Sequence, residues 1–254
     1  MRATLDVSPL QPTTPSVLRL GSRGPEVAEL QRGLRAAGCD PSSTDGDFGP
    51  RTEMAVKAFQ HSQGLTADGV VGPRTWSALS RLTREQLRGI MPRLSVARTD
   101  ECLRYLGAAM VEAEITTPQR QAAFLAQLAH ESGELRFFEE LASGEAYEGR
   151  EDLGNTRPGD GCRYKGRGPI QLTGRANYRA AGRALGIDLE DQPTRAGDVD
   201  VGFRVAGWFW TRRGLNAFAD AGNFREITRR INGGYNGLEH REAYYQRALA
   251  ILSP

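Results

Sequence analysis

The octapeptide Asp45-Gly46-Asp47-Phe48-Gly49-Pro50-Arg51-Thr52 recurs along the chain as Asp68-Gly69-Val70-Val71-Gly72-Pro73-Arg74-Thr75. A third Gly-Pro pair stands at Gly24-Pro25. Proline suits the first turn of a helix, where its missing N–H would have no partner anyway, and Asp-Gly pairs are typical of turns. The repeat therefore predicts three short helices, each beginning at one of these prolines.

Apolar residues at helical spacing support the three helices. They are Val27, Leu30 and Leu34 for the first, Ala55, Val56 and Phe59 for the second, and Trp76 and Leu79 for the third. In their order, these elements of residues 17–79 resemble the type 1 peptidoglycan-binding domain, a small three-helix bundle. The resemblance implies that peptidoglycan, the glycan of the bacterial cell wall, is the partner of this region.

The bulk composition excludes several other classes of protein. Hydrophobic residues make up 39% and charged residues 25% of the 254 residues, as is typical of globular domains. A net charge of +2 gives no case for nucleic-acid binding. No apolar run approaches the roughly 18 residues of a membrane span, so we expect no membrane insertion. Three widely spaced cysteines do not suggest a disulfide framework.

Residues 1–16 are rich in Pro, Ser and Thr and predict a flexible tail. This segment has no apolar core of a secretory signal, so we expect synthesis in a host cytoplasm. A protein of this kind that acts on the wall would need another route out, such as a membrane lesion made by a holin. A secreted antibacterial effector would look the same in sequence.

From residue 80 to 254 the pattern is helical, with almost no alternation of the kind that predicts strands. The sequence therefore predicts an all-α protein of two domains, 17–79 and 80–254. Between two of its predicted helices, 118–131 and 174–185, residues 133–173 are rich in Gly and polar residues and are expected to form the rim of an active site. The predicted helices of the second domain are 83–91, 99–113, 118–131, 174–185, 198–212, 223–232 and 239–252.

Glu131 is the first candidate for chemistry. It follows Phe124 by seven residues and Leu128 by three, so it projects from the apolar face of its helix. A carboxyl group in such a place is costly unless it is paired or protonated, and a protonated carboxyl is what a general acid requires. The ordinary alternative is a glutamate of the last turn that reaches solvent.

Several motifs follow one another along the second domain. They are His130-Glu131-Ser132-Gly133, Tyr147-Glu148-Gly149-Arg150, Leu153-Gly154-Asn155, Pro158-Gly159-Asp160-Gly161, the segment from Gly166 to Tyr178, and Ile231-Asn232-Gly233-Gly234. In this order they resemble glycoside hydrolase family 19, which includes chitinases and many phage endolysins. The resemblance implies a helical, lysozyme-like catalytic domain that cleaves β-1,4 bonds between N-acetylated sugars with inversion. It implies no metal or cofactor.

The resemblance also implies roles for individual residues. Glu131 becomes the general acid, and Thr173 helps to hold the attacking water. The implied substrate contacts are Gln171, Asn177, Tyr178, Asn232 and Arg241. Two glutamates remain alternatives for the general base: endolysin-like spacing gives Glu140, whereas the longer spacing of plant chitinases favours Glu148, which is otherwise a substrate contact.

These observations predict a peptidoglycan hydrolase of the endolysin type, a monomer that cleaves the bond between N-acetylmuramic acid and N-acetylglucosamine. Three alternatives remain open. The first is a chitinase acting on polymers of N-acetylglucosamine, and the second is a wall-binding protein without activity. The third is a zinc peptidase, against which the absence of a His-Glu-x-x-His motif argues.

Overall fold

The computed structural model describes residues 17–79 and 82–253, which form two compact units, one ending at Leu79 and the other lying beyond it. The tail predicted for residues 1–16 lies outside the described residues. Helices dominate both units, and the β-structure of the described part consists of isolated bridges. The all-α prediction is therefore confirmed. No helix in the described ranges is long and apolar enough to cross a membrane.

The first unit consists of three helices that begin at the predicted prolines. They are α1 (Pro25–Ala36), α2 (Pro50–Ser62) and α3 (Pro73–Leu79). The glycines before the first two, Gly24 and Gly49, provide no side-chain cap, so proline in the first turn is the local signal that starts these helices. The apolar faces of α1 and α2 form one core with loop residues, and its members are Leu18, Val27, Leu30, Leu34, Phe48, Ala55, Val56, Phe59 and Val71. Helix α3 packs against this core through the partly buried Trp76, Ala78 and Leu79.

A buried glutamine of α1 fixes the first Asp-Gly turn. The Nε2 group of Gln31 donates to Asp45 Oδ1 at 3.0 Å, to the carbonyl of Asp47 at 3.0 Å and to Thr52 Oγ1 at 3.1 Å. Its Oε1 accepts the backbone N–H of Gly46 at 3.0 Å. One side chain therefore holds the turn and the start of α2 together.

Gln60 on α2 repeats this arrangement for the second turn. Its Nε2 group donates to Asp68 Oδ1, the carbonyl of Val70 and Thr75 Oγ1 at 3.0, 2.9 and 3.1 Å. Its Oε1 accepts the N–H of Gly69 at 3.0 Å. The sequence repeat is thus also a repeat of contacts, in which each glutamine stands in for backbone partners that a loop lacks.

Replacing Gln60 by leucine is expected to lower the free energy of unfolding of this unit by about 2–4 kcal/mol. The buried N–H of Gly69 and the carbonyl of Val70 would lose a partner, and an unsatisfied buried polar group costs about 1–3 kcal/mol. Hydrogen–deuterium exchange of peptides from residues 17–79 measures the change. The control is Gln63→Leu, at an exposed position, where the effect should stay within about 0.5 kcal/mol. Equal effects of the two substitutions would contradict this account.

The second unit holds nine α-helices in its described residues, besides short 3₁₀ helices at Glu145–Tyr147, Glu151–Leu153 and Pro193–Gly197. The α-helices are α4 (Arg84–Ile90), α5 (Val96–Glu112), α6 (Pro118–Glu131), α7 (Asp160–Arg163), α8 (Arg175–Leu185), α9 (Val199–Arg212), α10 (Leu215–Asp220), α11 (Phe224–Asn232) and α12 (Leu238–Leu252). The sequence did not predict the short helices α7 and α10. It also placed the start of α5 at residue 99, whereas Ser95 caps it by accepting the N–H of Arg98.

Helix α6 lies at the centre of this unit. Thr117 caps it by accepting the N–H of Arg120 at 3.1 Å, and Pro118 occupies its first turn. Every residue from Gln121 to Ala129 is buried, and the helix packs chiefly against α12. A helix buried on all sides holds a rigid position, so the residues at its C-terminal end are firmly placed.

Candidate active site

Glu131 is the last residue of α6, and its side chain is 19% exposed. Its Oε1 atom forms an ion pair with Arg241 Nη2 of α12 at 2.6 Å. The Arg241 side chain is 2% exposed, and its Nη1 group donates to Gln127 Oε1 at 2.5 Å. Gln127 and Glu131 are four residues apart and therefore lie on one face of α6, where they share the same guanidinium.

The structure places Arg241, for which a contact with substrate was expected, in an internal position. Its guanidinium is buried between α6 and α12 and is bonded to Gln127 and Glu131. The network continues to α11, because Gln127 Nε2 donates to the buried Thr228 Oγ1 at 2.9 Å.

Three consecutive residues after α6 adopt left-handed backbone conformations: Gly133 (φ 56°), Glu134 (φ 66°) and Leu135 (φ 57°). Such angles are costly for residues other than glycine. The Ser132 hydroxyl supports this turn by accepting the N–H of Leu135 at 2.8 Å while donating to the carbonyl of Leu128 at 2.6 Å. The helix ends at Glu131, as predicted from the sequence, and the chain turns at this point.

The Glu134 carboxylate, which is 2% exposed, ties this turn to two other segments. It accepts the backbone N–H of Arg93 at 2.6 Å, Arg93 Nε at 2.9 Å and the hydroxyl of Tyr244 on α12 at 2.6 Å. Burial by itself would raise the pKa of Glu134, but the hydrogen bonds from Tyr244 and Arg93 hold it below the ordinary value. The strained turn is therefore held by a charged hydrogen-bond acceptor.

Glu140 lies where the chain, after this turn, meets the hairpin of residues 166–172. Its backbone N–H donates to the carbonyl of Gly166 at 2.9 Å. Its carboxylate accepts the hydroxyl of Tyr147 at 3.0 Å and the N–H of Gly166 at 3.0 Å. Burial and the hydrogen bond to Glu140 raise the pKa of Tyr147, which keeps this donor protonated.

Gln171 lies against the same glycine. A Cβ atom at Gly166 would come within 2.6 Å of Gln171 Oε1 and 3.1 Å of Glu140 Oε2, so glycine is required for the two side chains to approach. Thr173 Oγ1 donates to the carbonyl of Gln171 at 3.0 Å, and Asn177 Nδ2 donates to the carbonyl of Thr173 at 2.9 Å. Four of the predicted site residues therefore form one contiguous cluster.

Two other predicted substrate contacts have hydrogen-bond partners within the protein. Tyr178 is fully buried, and its hydroxyl donates to the carbonyl of Lys165 at 2.7 Å, so it supports the hairpin from beneath. The Glu148 carboxylate accepts the N–H groups of Gly159 and Gly161, each at 2.7 Å. Both of its oxygens hold a turn, which argues against Glu148 as the general base.

Asn232 is exposed at the end of α11, and Gly233 follows in the left-handed conformation expected of a residue that ends a helix (φ 73°). Asn232 lies one turn beyond Thr228, and Glu131 lies one turn beyond Gln127. Thr228 and Gln127 are hydrogen-bonded to each other.

The pair His130 and His240 lies beside the arginine network, with their Nδ1 atoms 2.9 Å apart. Burial, helped by the positive charge of Arg241, lowers the pKa of His130 to about 4. His130 is therefore neutral near pH 7 and adds no second cation beside Glu131. Among residues 17–79 and 82–253, no group of three or more His, Cys, Asp or Glu side chains is arranged to hold a metal ion.

Sequence reasoning missed Gln127, Glu134 and Tyr147. A signal existed for Gln127, a polar residue four positions before Glu131 on a face that is otherwise apolar. No local signal identifies Glu134, because its partners Arg93 and Tyr244 are distant in sequence. Tyr147 stood in a quoted motif, but the sequence did not show that it pairs with Glu140.

Two family models match the chain. One, described as a putative peptidoglycan-binding domain, matches residues 23–79, and the other, described as chitinase class I, matches residues 103–218. A glycosyl hydrolase family 19 domain-containing protein of Haemophilus influenzae is 34% identical over 177 residues, which cover 58% of this chain and 86% of that relative.

An endochitinase of Arabidopsis thaliana is 42% identical over 114 residues, covering 44% of this chain and 39% of that protein. The chain thus spans less than half the length of this plant relative. Among solved structures, chitinase C of Streptomyces griseus HUT6037 superposes with a TM-score of 0.58 at 26% identity, covering 68% of this chain and 93% of that one.

The fold and these likenesses define the protein as a glycosidase. The chain belongs to glycoside hydrolase family 19. Together with the peptidoglycan-binding domain at residues 23–79, this makes it a hydrolase of cell-wall glycan.

Glu134→Gln is expected to lower the stability of the second unit by about 1–3 kcal/mol at pH 7, because a charged acceptor for buried donors is lost. In the folded protein the pKa of Glu134 lies below the ordinary glutamate value of about 4.3. The contribution of this carboxylate to the free energy of unfolding is therefore complete above about pH 4.3, and it is lost as the pH falls through the folded-state pKa. Melting temperatures of wild type and variant, measured from about pH 7 to 3, should converge at the acid end.

Glu239→Gln, at an exposed position of α12, is the matched control and should leave the melting curve nearly unchanged. A gap between wild type and Glu134→Gln that does not narrow with acidity would show that the charge of Glu134 is not what stabilises the turn.

Proposed function

We propose that this protein cleaves the β-1,4 bond between N-acetylmuramic acid and N-acetylglucosamine in peptidoglycan, with inversion at the anomeric carbon, and thereby lyses bacteria. The observation that carries the proposal is a pair of carboxylates with different partners. Glu131 is held by a buried arginine at the end of α6, and Glu140 by a hydroxyl and a backbone N–H at the hairpin. An inverting glycosidase requires two carboxyl groups with different roles.

Glu131 is the proposed general acid. Its Oε1 atom faces Arg241, whereas its Oε2 atom makes no hydrogen bond to any other described residue. This second oxygen is therefore available to donate a proton to the leaving glycosidic oxygen. Its anchorage to a buried guanidinium fixes the direction in which that proton is presented.

Arg241 is the proposed positioning residue for Glu131, because its buried guanidinium contacts that carboxyl group directly. Gln127 accepts a hydrogen bond from the other terminal nitrogen of the same guanidinium, so it helps to fix the orientation of Arg241.

Glu140 is the proposed general base, acting on a water molecule held with Thr173. The Thr173 hydroxyl donates its hydrogen to the carbonyl of Gln171, which leaves its lone pairs to accept a hydrogen from water. The base then takes the other proton as the oxygen attacks the anomeric carbon. The amides of Gln171, Asn177 and Asn232 are the proposed contacts to sugar hydroxyl and N-acetyl groups.

The peptidoglycan-binding domain keeps the catalytic unit at the wall and so raises its effective concentration on the substrate. We further propose that the protein acts as a monomeric endolysin that reaches the wall after synthesis in the host cytoplasm, with a holin as the partner that opens the membrane. It requires no cofactor.

Chitin hydrolysis is the second candidate, favoured by the names of the Arabidopsis and Streptomyces relatives. Activity on N-acetylglucosamine oligomers that equals or exceeds activity on purified sacculi would favour it. The binding domain argues for the wall as the natural substrate.

Glu131→Gln and Glu140→Gln are each expected to reduce the release of reducing ends from purified sacculi by about 10²–10⁴-fold, the usual contribution of a general acid or base. Mass spectrometry of the wild-type digest should show disaccharide-peptides with reducing N-acetylmuramic acid, and NMR immediately after cleavage should show the α-anomer. Glu148→Gln is the comparison variant. Any activity that it loses should follow a loss of protein stability, because its carboxylate holds a turn and is not a reacting group in this proposal.

Reducing N-acetylglucosamine ends would show that the other glycosidic bond of the glycan is cleaved. An initial β-anomer would exclude inversion. Full activity of Glu131→Gln would overturn the mechanism.

Gln127→Leu is expected to lower kcat on purified sacculi more than it raises KM, because Arg241 would lose one of its two acceptors and would orient the Glu131 carboxyl less firmly. Thr228→Val is the matched control: it removes the partner of Gln127 Nε2 but leaves the bond to Arg241, so kcat should stay near the wild-type value. If both variants lose activity equally, Gln127 has only a structural role.

A further inference from the structure

The first unit carries a surface cavity of about 530 Å³ beside the second Asp-Gly turn. Its lining includes Leu65, Thr66, Asp68, Pro73 and Arg74. This volume lies within the range of small-ligand sites and is ample for a single sugar ring. The internal repeat offers a direct comparison, because each of these positions has a counterpart at the first turn.

At the first turn, the residues that correspond to Asp68 and Arg74 are Asp45 and Arg51. Each of them is hydrogen-bonded to a neighbouring serine hydroxyl. Ser43 Oγ donates to Asp45 Oδ2 at 2.9 Å. The Arg51 Nη1 group donates to Ser42 Oγ at 3.2 Å. The remaining carboxylate oxygen, Asp45 Oδ1, is used by the turn itself. In this copy the protein thus fills the space between aspartate and arginine with two hydroxyls of its own.

At the second turn the same pair lacks these partners. Leu65 replaces the serine that accepted from arginine, and within residues 17–79 and 82–253 the Arg74 guanidinium has neither an ion pair nor a hydrogen bond. Asp68 Oδ1 accepts from Val70 N–H and Gln60, and these bonds lower the pKa of Asp68. Its Oδ2 has no hydrogen-bond partner in the described ranges, the hydroxyl of Thr66 included.

We propose that this notch, formed by Leu65, Asp68 and Arg74, binds one N-acetylated sugar of the wall glycan. A sugar hydroxyl donates to Asp68 Oδ2, a second sugar oxygen accepts from Arg74, and the acetyl methyl or ring face packs on Leu65. The first copy of the repeat shows that two hydroxyls complement the aspartate and arginine. The pair is neutral overall, which suits a neutral sugar better than a charged stem peptide.

This inference rests on the proposed function, which supplies the wall glycan as the ligand. What it adds is the position of the sugar on the binding domain. The test uses the full-length chain with Glu131→Gln, so that the ligand is not cut. The ¹⁵N-labelled protein is titrated with tetra-N-acetylchitotetraose, and the amides of Gly69 and Gly72 report on the notch while that of Gly166 reports on the cleft. A second titration uses a stem tetrapeptide.

The expected result is a saturable shift of the notch amides with the sugar. Arg74→Ala and Asp68→Asn should each weaken this binding at least fivefold, and so should Leu65→Ser, which restores an internal hydroxyl partner for Arg74. Arg51→Ala, at the equivalent position of the first turn, is the matched control and should leave the affinity unchanged.

Sugar-induced shifts confined to the cleft, notch shifts caused by the stem peptide alone, or equal effects of Arg74→Ala and Arg51→Ala would each overturn the proposal. Hydrolysis of sacculi by the otherwise wild-type chain is measured in parallel. Failure of that assay would refute the proposed activity without altering the notch titration, so the two failures are distinguishable.

Discussion

The burial of Arg241 constrains the rest of the catalytic unit. A charge removed from water is tolerated only when it is paired and hydrogen-bonded. Gln127 and Glu131, one turn apart on α6, meet this requirement, although the buried Nε of Arg241 has no partner among the described residues. The position of α12 against α6, and the direction of the Glu131 carboxyl, both follow from this single guanidinium.

A buried polar side chain with several hydrogen bonds also fixes three of the loops. Glu134 fixes the left-handed turn after α6, and Gln31 and Gln60 fix the two Asp-Gly turns. In each case one buried polar side chain accepts a hydrogen bond from a backbone N–H group of a loop, which lacks the regular backbone hydrogen bonds of a helix or sheet. These loops are therefore as fixed as the helices, which is what a binding or catalytic group on a loop requires.

Most of the helices could be predicted from sequence because their signals are local: proline in the first turn, Ser or Thr caps, and apolar spacing. The surroundings of Tyr178 and Arg241 could not, because periodicity does not show whether a polar side chain points into a cleft or is enclosed within the protein. Their motif positions suggested contact with sugars, whereas both side chains are buried and hydrogen-bonded to other parts of the protein. Gln127 lay within reach of sequence reasoning, since its spacing from Glu131 places both on one face.

The choice between Glu140 and Glu148 shows why sequence spacing leaves a base ambiguous. Both carboxylates lie close to a glycine. A Cβ atom at Gly161 would come within 2.9 Å of Glu148 Oε2, and a Cβ atom at Gly166 would come within 3.1 Å of Glu140 Oε2. Glu148, however, uses both oxygens on backbone N–H groups of one turn. Glu140 has one oxygen on a backbone group and the other on the hydroxyl of Tyr147, a side-chain donor that can rotate away when a proton arrives. That freedom, and the neighbouring Gln171 and Thr173, favour Glu140 as the group that receives the proton of water.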